Sequence, residues 1–285
     1  MMSFIKERIS LPDDIFRLIR DMVYNYCGVS FDNTSKFLME SRLQHSVSRL
    51  GFDNFRDYYY YLKYDKNRDE EFIHIIDILT IHETYFFREE EQLKAFSEEI
   101  LPEIIENKAK NNEKRIRVWS AGCSTGEEPY SIAMLMMENS QLKDWDCEVF
   151  GTDVSQRVLQ LCRRGIYQKV SFRCTDPKYI YKYFHKEEDT YKIDDKVKKN
   201  VTFFYLNLFD QNKLVFITPA DIIFCRNVII YFDPAAKKKV VDIFYNKLKK
   251  NGFLLLGHSE SLMNISTSFS LRHLKRDMVY QKKGN

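Results

Sequence analysis

From residue 13 to residue 81 the apolar positions recur with helical spacing. Ile15, Ile19, Met22, Val23 and Tyr26 fall on one stripe. Leu38, Leu43, Val47 and Leu50 form a second, and Phe72, Ile75, Ile76 and Leu79 a third. The tyrosine run at 58–61 is expected on a helix with alternate faces buried. Gly28 and Gly51 sit where helices would stop. The spacing predicts an all-α bundle of about four helices.

After Phe87 the pattern changes. A charged helix over 89–107 leads through the polar stretch 108–114 into alternating strand and helix signals. Strands are predicted at 116–120, 148–152, 201–207, 221–225 and 253–257. Helices are predicted at 128–139, 155–164 and 234–250, the last opening with Asp233 as cap and Pro234 in the first turn. Such alternation means an α/β fold, a doubly wound and mostly parallel sheet with helices on both faces. The charged, Tyr-rich stretch 176–200 interrupts it and reads as a small inserted subdomain. Residues 269–281 read as a closing hairpin on an antiparallel edge. The expected organisation is a helical domain over 1–85, a linker and lead-in helix over 86–115, and an α/β domain over 116–285.

Composition narrows the class. The chain has 285 residues and is 44% hydrophobic, enough for a sizeable core. A net charge of +3 is too small to point to nucleic acid, and none is expected as a partner. Residues 1–14 hold charges and a proline but no apolar core of signal length. No apolar run approaches the ~20 residues that span a bilayer, so a cytoplasmic monomer without membrane insertion is expected. The cysteines, 27, 123, 147, 162, 174 and 225, show no zinc spacing, and neither metal nor disulfide is expected.

The most informative stretch runs Arg117-Val118-Trp119-Ser120-Ala121-Gly122-Cys123-Ser124-Thr125-Gly126-Glu127-Glu128-Pro129-Tyr130. A strand enters a Gly-containing turn that opens a helix. Gly122 lets backbone approach a ligand, and the helix start offers free N–H donors. Glu127 and Glu128 follow at once; two carboxylates there repel a phosphate and favour a cation. S-adenosylmethionine, with its sulfonium and amino group, fits that charge, whereas a dinucleotide does not. The same turn satisfies G-x-S-x-G, a hydrolase elbow with Ser124 as nucleophile and His258 or His273 downstream. Against it, no oxyanion-hole His-Gly-Gly precedes the turn, and the glutamates oppose an oxyanion. A turn with no ligand is the third reading.

Further residues fall at strand tips. Asp153 ends the second predicted strand, where an acid can accept ribose hydroxyls or merely cap the next helix. Arg226-Asn227 stands at the carboxyl end of an apolar strand, where open α/β sheets bind ligands, with Tyr231 close behind. The plainer alternative pairs Arg226 with a local carboxylate and packs Tyr231. Upstream, His82, Thr84 and Arg88 interleave with aromatics, as a segment lying over a ligand or an anchored linker would.

Six segments in order resemble the chemotaxis-receptor glutamate methyltransferase family, called CheR. They are Glu83-Thr84-x-Phe86-Phe87-Arg88, the stretch Trp119 to Ser131, Thr152-Asp153, Asn207-Leu208, Phe224 to Asp233, and Gly257-His258-Ser259-Glu260. The resemblance implies an all-α domain followed by a class I methyltransferase domain with an inserted β-subdomain. It implies cofactor contacts from His82, Thr84, Arg88, Gly122, the Glu127-Glu128 pair (Glu127 preferred), Asp153, Asn207, Leu208, Arg226 and Asn227. The family usually has Asn in the place of His82; imidazole can still donate one hydrogen bond. Tyr231 is expected to line the methyl-transfer site, with Arg88 holding the methionine part or the incoming carboxylate. The implied reaction converts receptor glutamates to methyl esters and leaves S-adenosylhomocysteine. A non-catalytic S-adenosylmethionine-binding receptor scaffold is the remaining alternative. Lys36, Arg42, His45 and Arg49 are expected to form a basic face for the helical cytoplasmic domain of the receptor, or else a solvated face. The tight loop at 185–190 implies an enzyme that needs no receptor-tail tether.

Overall fold

The computed structural model describes residues 8–284. The first seven, part of the stretch read as lacking a signal, lie outside the described residues. The chain divides into two compact units, one ending at Ile81 and the other beginning at His82.

Among its described residues the first unit holds four α-helices: α1 (Asp13–Cys27), α2 (Lys36–Arg49), α3 (Phe55–Tyr64) and α4 (Arg68–Leu79). α1 starts with Asp13 and Asp14 at its positive pole and stops at Gly28, whose φ of 78° closes the last turn. Its core joins Ile15, Ile19 and Val23 to Met39, Leu43 and Val47, and to Ile75, Ile76 and Leu79. Two expectations are corrected. Leu38 is exposed and Met39 takes its place, because α2 winds on from a 3-10 turn and buries positions 39, 43, 46 and 47. On α3 the neighbours Tyr58 and Tyr59 are buried with Phe55 and Leu62. That is a helical stripe; burial of alternate residues belongs to strands.

The second unit opens with α5 (Glu90–Ala95), which continues through a π-type stretch, Phe96–Ile100, into α6 (Leu101–Ala109). Leu93, Phe96, Ile100, Leu101, Ile104 and Ile105 pack in the main core. This lead-in helix is therefore core of the α/β unit rather than a linker. Next come β1 (Arg115–Ala121), α7 (Glu127–Glu138), β2 (Asp146–Asp153), α8 (Gln156–Arg164) and β3 (Ile166–Gln168). Then follow α9 (Pro177–Tyr183), β4 (Phe184–Glu187), β5 (Thr190–Ile193), α10 (Asp195–Lys198) and β6 (Val201–Tyr205). The chain ends with α11 (Gln211–Leu214), β7 (Ala220–Cys225), α12 (Pro234–Lys247), β8 (Leu248–Leu256), β9 (Phe269–His273) and β10 (Met278–Lys282).

The main sheet has the order β6-β2-β1-β7-β8-β10-β9, parallel from β6 to β8 and antiparallel in the closing hairpin. This is the class I methyltransferase architecture. β7 is buried at every position, as expected of a parallel strand covered on both faces. A separate antiparallel sheet, β3-β5-β4, forms the insertion, which thus begins ten residues before the predicted 176. β8 also begins earlier than predicted, at Leu248, where a bulge near Ala220 lets it pair with β7. Asp233 caps α12 through the Ala236 amide at 2.8 Å, as its sequence predicts. Among the described residues no helix is long and apolar enough to cross a membrane.

Candidate functional site

The carboxyl ends of β1, β2, β6 and β7 converge with the segment 82–89, all within the second unit. Sequence forces the turn after β1 into shape. Gly122 has φ 81°, and a Cβ there would lie 2.5 Å from Val228 Cγ2. The Gly122 and Cys123 amides both donate to the Thr152 carbonyl, at 2.8 and 3.0 Å. Gly126, at φ 95°, is the N-cap of α7. Asp153 accepts from the Ser124 amide on one oxygen and the Ser155 amide on the other, each at 2.9 Å. The cap of α8 is Ser155, through the Val158 amide. Asp153 therefore joins the loops that follow β1 and β2 instead of capping a helix.

The two glutamates diverge, and Glu128, not the Glu127 preferred from sequence, faces Arg226. Glu127 is buried and accepts from Thr125 Oγ1 at 2.6 Å and Ser171 Oγ at 3.1 Å. Glu128 accepts from Ser120 Oγ at 2.7 Å and faces Arg226 Nε at 3.4 Å. Burial pushes both carboxyls above their usual range; Thr125 pulls Glu127 partly back, and Arg226 and Ser120 do so for Glu128.

Arg226 is buried beside two carboxylates, Glu89 at 3.5 Å and Glu128 at 3.4 Å, and donates from Nη2 to the Arg88 carbonyl. The local-carboxylate reading of Arg226 is thus correct in part. Its Nη1 and the Asn227 Oδ1 are buried without a hydrogen-bond partner among the described residues. Buried polar atoms are nearly always paired, so these await one from outside the chain. Glu89, which sequence reasoning missed, completes the group: its Oε1 lies 3.5 Å from Asn227 Nδ2, and its Oε2 makes no hydrogen bond. The charge run 89–91 looks like an ordinary solvated helix start, which hid it. Phe87, Glu89, Ser124 and Asn227 all adopt positive φ, between 48° and 58°. Backbone strain of this kind collects at functional sites.

The remaining predicted residues fall around this centre. Phe86 donates to the Ser171 carbonyl and Phe87 to Ser131 Oγ, which anchors the segment carrying His82, Thr84 and Arg88. Arg88 Nη1 donates to the Glu83 carbonyl at 2.8 Å. Asn207 and Leu208 are buried just past β6, and Asn207 Oδ1 accepts from the Phe209 amide. Tyr231 is half-buried at the end of a 3-10 turn, Ile229–Tyr231.

Two expectations fail here. Ser124 Oγ donates to the His82 carbonyl at 2.9 Å, while His258 Nε2 pairs with Asp277. Ser124 has no imidazole base, and the hydrolase reading is not supported. In the first unit, α2 does not present a free basic face. Lys36 pairs with Asp13, and Arg49 with the buried Glu71. Arg42 donates to the carbonyls of Ile78 and Leu79, orphaned at the end of α4. Of the four, His45 is exposed and has no hydrogen bond or ion pair among the described residues.

The donor set suits S-adenosylmethionine. A guanidinium N–H with no partner can take the amino acid carboxylate, and the acceptors Asn227 Oδ1, Glu89 and Glu128 can take the ammonium. Asp153, at the tip of β2, has acceptor capacity beyond its two amide bonds that can take ribose hydroxyls.

Comparisons with known proteins agree. Residues 82–278 match the family model described as "CheR methyltransferase, SAM binding domain", and residues 14–80 match "CheR methyltransferase, all-alpha domain". The chain is 34% identical over 276 residues to chemotaxis protein methyltransferase 2 of Vibrio cholerae, covering 96% of this chain and 94% of that protein. It is 38% identical over 255 residues to the chemotaxis protein methyltransferase of Borreliella burgdorferi, covering 88% of each. The figure is 32% over 270 residues for the Escherichia coli protein of that name, covering 93% and 91%. Fold, site and relatives converge: the chain belongs to the CheR methyltransferase family, an all-α domain followed by a domain that binds S-adenosylmethionine.

Proposed function

We propose that this methyltransferase esterifies glutamate side chains on the helical cytoplasmic part of chemotaxis receptors, working as a cytoplasmic monomer. The observation that carries the reading is the unpaired Arg226 Nη1 and Asn227 Oδ1, set among Glu89 and Glu128 at the carboxyl edge of β7. S-adenosylmethionine supplies an electrophilic methyl carbon on a cationic sulphur.

The chain's own residues bind, orient and exclude water. Arg226 and Arg88 hold the carboxylate of the amino acid part, Glu89 and Glu128 its ammonium, and Asp153 the ribose. Gly122 lets the turn approach closely, and Asn207, Leu208, His82 and Thr84 wall the pocket. A receptor glutamate has pKa ≈ 4.3 and is ionised at pH 7, so no general base is needed. Orientation with water excluded can supply ~7–11 kcal/mol of the barrier. Tyr231 lines the acceptor side and guides the incoming carboxylate.

The test incubates the protein with methyl-labelled S-adenosylmethionine and receptor cytoplasmic fragments. Base-labile label on glutamate supports the proposal. Cofactor binding without label would make the protein a scaffold, and base-stable label would move the acceptor off glutamate.

A further inference from the structure

The Glu260 carboxylate gathers four main-chain amides. Gly257 and Asn227 donate to Oε2 at 2.7 and 2.8 Å, and Val228 and Ile230 donate to Oε1 at 2.9 and 3.1 Å. Three of these amides belong to the loop between β7 and α12, which carries Arg226, Asn227 and Tyr231. Without the carboxylate they would lose their shared acceptor, with Asn227 and Val228 half-buried and Ile230 at the surface. The anchor also holds a strained conformation, since Asn227 sits at φ 58°. The fit leaves no room for a side chain at Gly257. A Cβ there would lie 2.8 Å from Asn227 Nδ2 and 3.0 Å from both the Asn227 amide and Glu260 Oε2.

We propose that Glu260 is a positioning residue. Its carboxylate locks the loop 226–231 in the conformation that aims Arg226 Nη1 and Asn227 Oδ1 at the cofactor and sets Tyr231 beside the acceptor. This rests on the reading that the loop forms the S-adenosylmethionine site. Glu260 touches neither reactant; it acts through the amides it holds. A neutral amide cannot replace it, because one of its two ends would present N–H to N–H.

The experiment uses the full chain as wild type, E260Q and E260A. Amide hydrogen exchange is read first, without ligand. In E260Q the amides of Asn227, Val228 and Ile230 exchange faster, while those of β1 and β7 keep wild-type protection. Affinity for S-adenosylhomocysteine, by calorimetry, falls about tenfold, the expected effect of losing hydrogen bonds that hold the loop. Turnover on receptor fragments falls about 100-fold, as for a displaced reacting group. In E260A, added formate fills the vacated anion site and restores affinity in a saturable way. Unchanged exchange at the three amides of E260Q, faster exchange spread evenly over the sheet, or no response of E260A to formate would overturn the proposal. Because exchange is read without ligand, the clamp is judged apart from the site. A wild type with the three amides protected but no affinity for S-adenosylhomocysteine would overturn the site reading instead.

Discussion

At the scale of single residues, the centre is a guanidinium between two carboxylates whose Nη1 has no hydrogen-bond partner among the described residues. Arg226→Lys keeps the charge but loses the planar fork. S-adenosylhomocysteine affinity should fall by about 1.5–3 kcal/mol, near 10- to 100-fold, with little change in melting temperature. Calorimetry and a thermal melt check both halves. Glu127 and Glu128 make the site sensitive to acid. Burial raises both carboxyls, so they take up protons at a pH where an exposed glutamate, pKa about 4.3, is still ionised. As pH falls from about 7.5 toward about 5, affinity for the cationic S-adenosylmethionine should drop more steeply than affinity for its neutral-sulphur product. The stability trend has the opposite sign. A raised carboxyl stabilises the unliganded fold fully below its unfolded pKa, and that contribution is lost as pH rises through the folded value. The melting shift produced by S-adenosylmethionine follows its affinity and should be larger at neutral pH than in acid; a flat profile would remove the two glutamates from the charge argument.

Much of the site was legible at this scale because its residues stand at strand tips, which parallel topology brings together. Gly122, Asp153 and Arg226-Asn227 lie far apart in the chain yet share one edge of the sheet. The partners of each were not legible. Arg49 and Arg42 look in sequence like a cationic face, yet each answers an unsatisfied group on α4. Glu71 is buried and also accepts from Tyr58 OH at 2.7 Å. Arg49→Glu should therefore cost roughly 1–3 kcal/mol of stability in urea unfolding. An Arg49→Glu protein of wild-type stability would return that residue to a docking role.

Among elements, the sheet is tied at its opposite edge by a group of charges around Asp221. That carboxylate accepts from the Arg117 amide at 2.8 Å and pairs with the buried Lys108 at 2.9 Å and Lys249 at 3.3 Å. Burial pulls the Lys108 ammonium down, but Glu113 and Asp221 outweigh it and leave the ammonium above its usual range. Asp221→Ala would leave Lys108 to Glu113 alone and the Arg117 amide without its acceptor, and about 1–3 kcal/mol of stability should be lost, read as a shift in denaturant midpoint. A loss within error would make the cluster ornamental to the fold. Helices and parallel strands were predicted well because periodicity is local. β3 was not, because a three-residue strand has meaning only against its partner β5. The start of β8 was missed for a related reason: Leu248 and its polar successors continue a helical pattern, and only pairing across to Ala220 makes them strand. Only Glu188 and Asp189 separate β4 from β5, so most of 185–190 is strand rather than loop.

For the molecule as a whole, the division at Ile81 and His82 leaves every residue of the proposed cofactor site in one unit. The charge pattern of 89–107 suggests a connector, yet its apolar face packs into the α/β core, and the segment 82–89 is thereby fixed over the sheet edge. A small net charge is compatible with this arrangement because the chemistry depends on local charge. The most direct measurement is a calorimetric titration of the full chain with S-adenosylmethionine and S-adenosylhomocysteine at neutral pH. Saturable binding of both ligands, one site per chain, is predicted, weakened in parallel by Arg226→Lys. Absence of saturable binding, or full binding by the Arg226→Lys protein, would contradict the account.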